Sequence, residues 1–245
     1  MGSSAATAIQ REYYARTAER YSTMHASESS DDPKLREFLV SALRPLGIRS
    51  WLDVGSANGR GLPDLADALP GAFVCGAEPV TALVQQGITA GFTKKVSLMQ
   101  ASGEALPFAN GSFDVVSEFS VLHHAANPTL VVKEMTRVAR KAVVVVDSNR
   151  FGQGSMASRW LKLAVYKLGL WGAFNYLRTG GKRYQISEGD GLFYSYSVFD
   201  SFQVLAGWAD RLVVYTNRPS PKSWFHPILT SAGVTLIALR DTGGE

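Results

Sequence analysis

Apolar residues in this chain fall into short unbroken runs, and between the runs they recur at every third or fourth position. That alternation of buried strands with amphipathic helices builds a doubly wound α/β sheet. The runs are Ile48 to Val54, Ala72 to Pro79, Val96 to Ala101, a fourth within Ser112 to His124, and Ala142-Val-Val-Val-Val-Asp147, which suits a strand covered on both faces. Between them, Leu35 to Leu43 reads as an amphipathic helix, started by Asp31, Asp32 and Pro33 and stopped by Pro45 and Gly47. Gly61 to Leu69 reads as a helix with a proline in its first turn, where a missing amide costs least. Upstream, Ala8 to Tyr21 carries Tyr13, Tyr14 and Tyr21 at helical spacing, and the polar stretch Ser22 to Asp32 reads as a hinge or loop.

Beyond Asp147 the pattern changes. Phe151 to Ser187 contains no acidic residue but holds Arg159, Lys162, Lys167, Arg178, Lys182 and Arg183, more positive charge than the whole chain's net +4. Within it, Trp160 to Leu177 is nearly all apolar, and Gly169 and Gly172 divide it into two helices. Three readings stay open for this insertion. They are a substrate lid holding an anionic acceptor, a peripheral contact with an anionic membrane, and a dimer interface or core helix pair with solvated lysines. A membrane span is not expected, since two lysines and two glycines interrupt a run close to the minimum of about 20 residues. Ser195 to Gly207 then reads as a crossover helix, Arg211 to Thr216 as a strand, Pro219 to Lys222 as a turn and Gly233 to Leu239 as a closing strand. The resulting organisation is a cap over 1–34, a core over 35–150, a helical insertion over 151–195 and the rest of the core sheet over 196–245.

Composition adds limits rather than chemistry. A chain of 245 residues accommodates one sizeable α/β domain with an insertion. Cys75, the single cysteine, lies inside the second apolar run and reads as a buried small hydrophobe, so no disulfide forms within the chain. Met1 to Gln10 lacks the basic flank and apolar stretch of a signal peptide, and a cytoplasmic protein is expected. No nucleic-acid-binding motif accompanies the positive charge.

The segment Trp51-Leu-Asp-Val-Gly-Ser-Ala-Asn-Gly59 leads from a strand through a carboxylate, Asp53, into a turn in which Gly55 and Gly59 let backbone approach a ligand. A dinucleotide loop would need glycines where Ala57 and Arg60 stand, and a phosphate loop would need a Gly-Lys-Ser/Thr that is absent. The order D-x-G-x-x-x-G resembles motif I of the class I S-adenosylmethionine-dependent methyltransferases, with alanine at 57 in place of the usual glycine. Four more segments resemble that family in order. The second strand ends in Glu78 and Pro79, an acid that can accept both ribose hydroxyls. Ser102-Gly-Glu-Ala-Leu-Pro-Phe108 resembles the segment that packs on adenine, with Ser102 for the usual Asp ahead of Gly103 and Glu104. Ser112 to His124 resembles the fourth strand and its loop, where carbonyls near Glu118 and Phe119 would meet the methionine amine, and Ala142 to Asp147 matches the fifth strand. The match covers roughly 35 to 147, with wording nearest the type-11 branch. The resemblance implies a Rossmann-like seven-stranded sheet in a three-layer αβα arrangement with its last strand antiparallel, and S-adenosyl-L-methionine as cofactor. An amino-terminal helix would lie over the cofactor, with Tyr13 or Tyr21 near the methionine group; a tyrosine stripe packed on the core is the alternative.

Methyl transfer to a hydroxyl gains from a base that takes the proton as the bond forms. His123 and His124 follow the fourth strand and Asp147 ends the fifth, so either histidine paired with the acid is a candidate, although the pair can equally be structural and Asp147 can cap a loop. His25 and His226 are isolated in sequence, no zinc-ligand spacing is present, and a metal is not implied. The expected activity is methylation of a small-molecule acceptor, with a hydroxyl on a sugar or anionic biosynthetic intermediate favoured. C-methylation of a quinone-like acceptor and a cofactor-binding module without turnover are the alternatives.

Overall fold

A computed structural model describes residues 3–21, 33–187, 189–216 and 227–241. Expectations for Asp31, Asp32, His25, the 219–222 turn and the segment around His226 lie outside these residues. In chain order the elements are α1 (Ser3–Thr17), α2 (Pro33–Leu43), β1 (Ser50–Val54), α3 (Leu62–Ala68), β2 (Phe73–Glu78), α4 (Thr81–Thr89), β3 (Ser97–Gln100), β4 (Phe113–Phe119), α5 (Pro128–Val138) and β5 (Ala139–Ser148). There follow α6 (Met156–Lys167), α7 (Trp171–Arg178), β6 (Tyr184–Ser187), β7 (Gly191–Tyr194), α8 (Phe202–Trp208), β8 (Arg211–Thr216), α9 (Pro227–Thr230) and β9 (Gly233–Leu239).

Seven strands form one sheet in the order β3-β2-β1-β4-β5-β9-β8. The first five run parallel, β9 is antiparallel to β5, and β8 is antiparallel to β9. This is the Rossmann-like α/β sheet, with its last strand reversed and helices on both faces.

The period-2 geometry of strands explains why the run at β5 is continuously apolar. Val143 and Val145 enter a core shared with Leu52, Val54, Met135 and Leu205, while Ala142, Val144 and Val146 enter the opposite one with Trp51, Leu39 and Leu65. Two helices not named from the sequence complete the layers, α4 and α5. The second begins at Pro128, with the Asn127 side chain accepting from the Leu130 amide at 3.2 Å, a capping residue followed by proline at the first helical position. The strand order reverses between β1 and β4, which opens a crevice at their carboxyl ends.

The insertion contains the two expected helices, α6 and α7, and also a hairpin, β6 with β7, that the helical reading did not anticipate. Gly180, Gly181 and Gly191 adopt positive φ at its entry and turn, conformations that stop a helix. No helix among the described residues is long and apolar enough to cross a membrane.

Candidate active site

A cavity of about 710 Å³ occupies the crevice, within the range of small-molecule sites. Its wall on the β1–β2 side is the turn after β1. The Gly55 and Ser56 amides both donate to the Ala77 carbonyl, at 2.7 and 3.2 Å, folding the turn back across β2. Gly55 has φ +75, and a Cβ there would lie 2.5 Å from Val121; Gly59, at φ +76, would meet Leu98 at 2.6 Å. Ala57 also sits in the left-handed region, φ 51, so this position adopts the glycine conformation with a methyl group attached. Asn58 pins the turn to α4 by donating to Gln86 at 3.1 Å, and Gly87 is required beneath it because a Cβ would lie 2.2 Å from the Asn58 carbonyl.

Two acids stand behind this turn. Asp53 accepts from the Ser117 hydroxyl at 2.8 Å, and Ser117 in turn accepts from the Trp51 indole at 2.8 Å; burial pushes Asp53 up to about 6. Glu78 accepts from the Ala57 amide at 3.0 Å and the Val80 amide at 2.9 Å, and burial pushes it up to about 7 despite both bonds. Pro79, Ser102, Gly103, Glu104 and Phe119 line the same cavity. Glu118 does not line it. Its side chain is wholly buried, one oxygen accepts from the Val121 amide, and burial with Asp147 nearby raises its pKa well above the carboxylate range.

On the opposite wall, the short turn Leu122–His124 brings both histidines to the rim. His123 Nδ1 lies 2.7 Å from Asp147 Oδ1, and its backbone amide donates to Asp147 Oδ2 at 3.2 Å. Burial opposes a charged imidazole, but Asp147 and Asp190 outweigh it and raise the His123 pKa well above its ordinary value. His124 goes the other way, lowered by burial and by the charge of His123. Its Nδ1 lies 2.7 Å from the Leu192 carbonyl and 3.0 Å from the Gln10 amide nitrogen, and Nε2 faces Tyr14 Oη at 3.1 Å and Asp190 at 3.2 Å. His123, His124 and Asp190 offer ligating atoms within 4.8 Å of one another, and within that group the His123 and Asp190 charges compensate each other while His124 stays neutral.

Asp190, Tyr14 and Gln10 were not among the residues singled out for the site from the sequence. Asp190 sits in the turn of the unanticipated hairpin, and Gln10 ties α1 to that hairpin by accepting from the Leu192 amide at 2.5 Å. Of the tyrosines expected near the cofactor, Tyr21 lines the cavity and Tyr13 does not. Tyr13 packs instead against Gly191, where an added Cβ would lie 2.6 Å from its ring, and Tyr14 takes the cavity position. The insertion closes the far end with Leu161, Lys162, Trp171, Phe174 and Arg178, beside Arg150 from the turn after β5. Arg150 is 8% exposed and pairs with Asp200, and its guanidinium lies over Phe151, Tyr166 and Trp171 at 5.3 to 5.7 Å.

The turn after β1, the acid ending β2 and the loop after β4 meet at the crevice, and the comparisons agree with what that meeting implies. A methyltransferase-domain family model matches residues 52–146. An uncharacterized methyltransferase of Mycobacterium tuberculosis (strain ATCC 25177 / H37Ra) is 30% identical over 190 residues, covering 78% of this chain and 72% of the relative. The chain belongs to the S-adenosylmethionine-dependent methyltransferases of class I. A second relative, an uncharacterized methyltransferase of Mycolicibacterium gilvum (strain PYR-GCK), is 32% identical over 58% of this chain, and the match spans only 55% of that relative's length. Among solved structures, Burkholderia thailandensis 1,6-didemethyltoxoflavin-N1-methyltransferase, with bound 1,6-didemethyltoxoflavin and S-adenosylhomocysteine, superposes with a TM-score of 0.64 at 13% identity over 98% of this chain and 92% of its own, a likeness of fold. S-adenosyl-L-methionine is the cofactor that the family implies, and the site fits it. A Cβ at Gly55 would collide with Val121 in the cavity wall, Gly59 supports the turn from behind against Leu98 without lining the cavity, and the Ser56 hydroxyl in the wall is buried with no hydrogen-bond partner among the described residues.

Proposed function

We propose that this methyltransferase transfers the methyl group of S-adenosyl-L-methionine to a hydroxyl of a small acceptor, a sugar or an anionic biosynthetic intermediate. The observation that carries the reading is the His123–Asp147 pair at 2.7 Å, on the opposite wall of the same cavity from the turn at Gly55. Gly55, Ala57, Gly59, Glu78 and Pro79 would cradle the nucleoside, with Ser102, Gly103 and Glu104 beside its base and Asp53, Phe119 and Tyr21 around the methionine end. The bound sulfonium supplies an already activated methyl group with a neutral thioether as leaving group. The chain's own task is to hold the hydroxyl in line in a water-poor cavity. As the methyl group is taken up by the acceptor oxygen, the hydroxyl proton would pass to His123 Nε2, while Asp147 would keep Nδ1 protonated and steady the imidazolium. His123 accepts only when neutral, so turnover rises with pH through its raised pKa. Lys162, Arg178 and Arg150 at the insertion end support an anionic group on the acceptor.

A second reading, C-methylation of a quinone-like acceptor, is favoured by the aromatic lining at Trp171, Phe174 and Phe193. The buried thiol of Cys75 supports a cytoplasmic setting. The deciding experiment supplies labelled S-adenosyl-L-methionine with panels of sugars, nucleotide sugars, phenols and quinones. Incorporation into a hydroxyl that His123→Gln abolishes while calorimetric cofactor affinity is kept supports the reading. Incorporation into ring carbon favours the second, and cofactor binding without incorporation into any panel favours a binding module.

A further inference from the structure

Neither α6, twelve residues long, nor α7, eight, buries a single side chain. Helices this short are marginal in water unless another surface covers their apolar stripe. One side of the pair is accounted for, because Leu161, Lys162, Trp171, Phe174 and Arg178 face the cavity. A different set takes no part in it. Leu168 is 72% exposed, Leu170 55%, Tyr176 50% and Leu177 79%, and Ile186 on the neighbouring hairpin is 62% exposed. Along the chain these residues fall at the bend between the helices, at the end of α7 and on the strand that follows, interleaved with Lys167, Lys182 and Arg183 and with no acidic residue anywhere from 151 to 187.

We propose that this face docks the methyltransferase on an anionic lipid bilayer, with Leu168, Leu170 and Leu177 entering the headgroup boundary and Lys167, Lys182 and Arg183 lying against the lipid charges. Charge complementarity decides the occupant. An isologous dimer through the same face would set its lysines and arginines against their own copies with no carboxylate from the segment to offset them. A negatively charged membrane satisfies both halves of the pattern, apolar side chains at the acyl boundary and basic ones at the surface. The inference is independent of which acceptor is methylated.

Sedimentation of the full chain with vesicles tests it, comparing phosphatidylcholine alone with phosphatidylcholine containing about 30% phosphatidylserine, a charge density that attracts basic segments near the surface. The expected result is partitioning stronger by about tenfold or more on the anionic vesicles, falling steeply with added salt. The pairs Leu168→Glu with Leu177→Glu and Lys167→Gln with Lys182→Gln should each lower it by about tenfold or more while leaving the melting temperature and calorimetric affinity for S-adenosyl-L-methionine unchanged. Binding indifferent to phosphatidylserine overturns the proposal, and so does no vesicle binding by a monomer. A dimer that the leucine pair dissociates, without vesicle binding, overturns it in favour of a second copy.

Discussion

Asp147→Asn removes the charge from the candidate dyad and keeps the size, but leaves one accepting oxygen where the carboxylate uses both, for the His123 amide on one side and His123 Nδ1 with the Ser148 amide on the other. In the native protein Asp147 is fully enclosed and the His123 side chain is only 14% exposed, so the pair is poorly screened. Unit charges about 4 Å apart interact by about 4 kcal/mol at an effective dielectric of about 20. At about 1.4 kcal/mol per unit, that is about three pKa units. Asp190 stays 3.7 Å from Nε2 in both proteins and cancels from the difference, so the His123 pKa should fall by the part that Asp147 contributes while Asp190 still holds it up. A two-dimensional NMR titration of the imidazole nitrogens reads this without any acceptor, with His123→Gln providing the assignment. The same variant should lose about 3 to 5 kcal/mol of stability, because the imidazolium loses its buried partner. The folded pKa of His123 is raised, so its contribution is fully present below about 6.5, the ordinary histidine value, and fades as pH rises through the folded value. The difference between native and variant protein should therefore be larger at pH 6 than at alkaline pH. A His123 midpoint that stays put or rises in a folded variant refutes the pairing.

Three further outcomes follow from the same geometry. Glu78 can accept ribose hydroxyls fully only when ionised, and burial holds it near 7, so calorimetric affinity for S-adenosyl-L-methionine should rise between pH 6 and pH 8; a constant Kd across that range contradicts the role. Gly55→Ala meets both a positive φ and Val121 at 2.5 Å and should cost about 2 to 4 kcal/mol, while Gly47→Ala, at φ +60 with open space, should cost only about 1 kcal/mol, and equal melting shifts would show that the cradle is loose. Tyr14→Phe removes the hydroxyl at His124 Nε2 and should lower stability by about 1 kcal/mol, read as a melting shift of about 2 to 4 °C; no shift means α1 is not held there.

What sequence alone determined is whatever short-range pattern controls. The apolar runs became the parallel strands because an element covered on both faces must be apolar at every position, and β5 shows this with alternate valines in opposite cores. The turn from Gly55 to Gly59 was legible because positive φ selects glycine, and the two insertion helices because Gly169 interrupts their run at positive φ, whereas Gly172, also expected to break it, lies within α7. Helix α5 carried a signal, Asn127-Pro128, that passed unread beside the stronger strands.

Tertiary structure decided the wall that depends on distant partners. The β6–β7 hairpin lies in a segment read as part of a helical insertion, although Gly189, Asp190 and Gly191 suit a turn, and that turn carries Asp190 to the two histidines, a meeting that no local spacing encodes. Helical spacing put Tyr13, Tyr14 and Tyr21 on offer together, but only the packing of α1 against Gly191 chose which ring is buried under the hairpin and which hydroxyl reaches His124. The shifts at Asp53, Glu78 and His123 have the same origin. A side chain's proton affinity is set by the water it loses and the charges brought to it, and both are fixed only when the chain has closed around it.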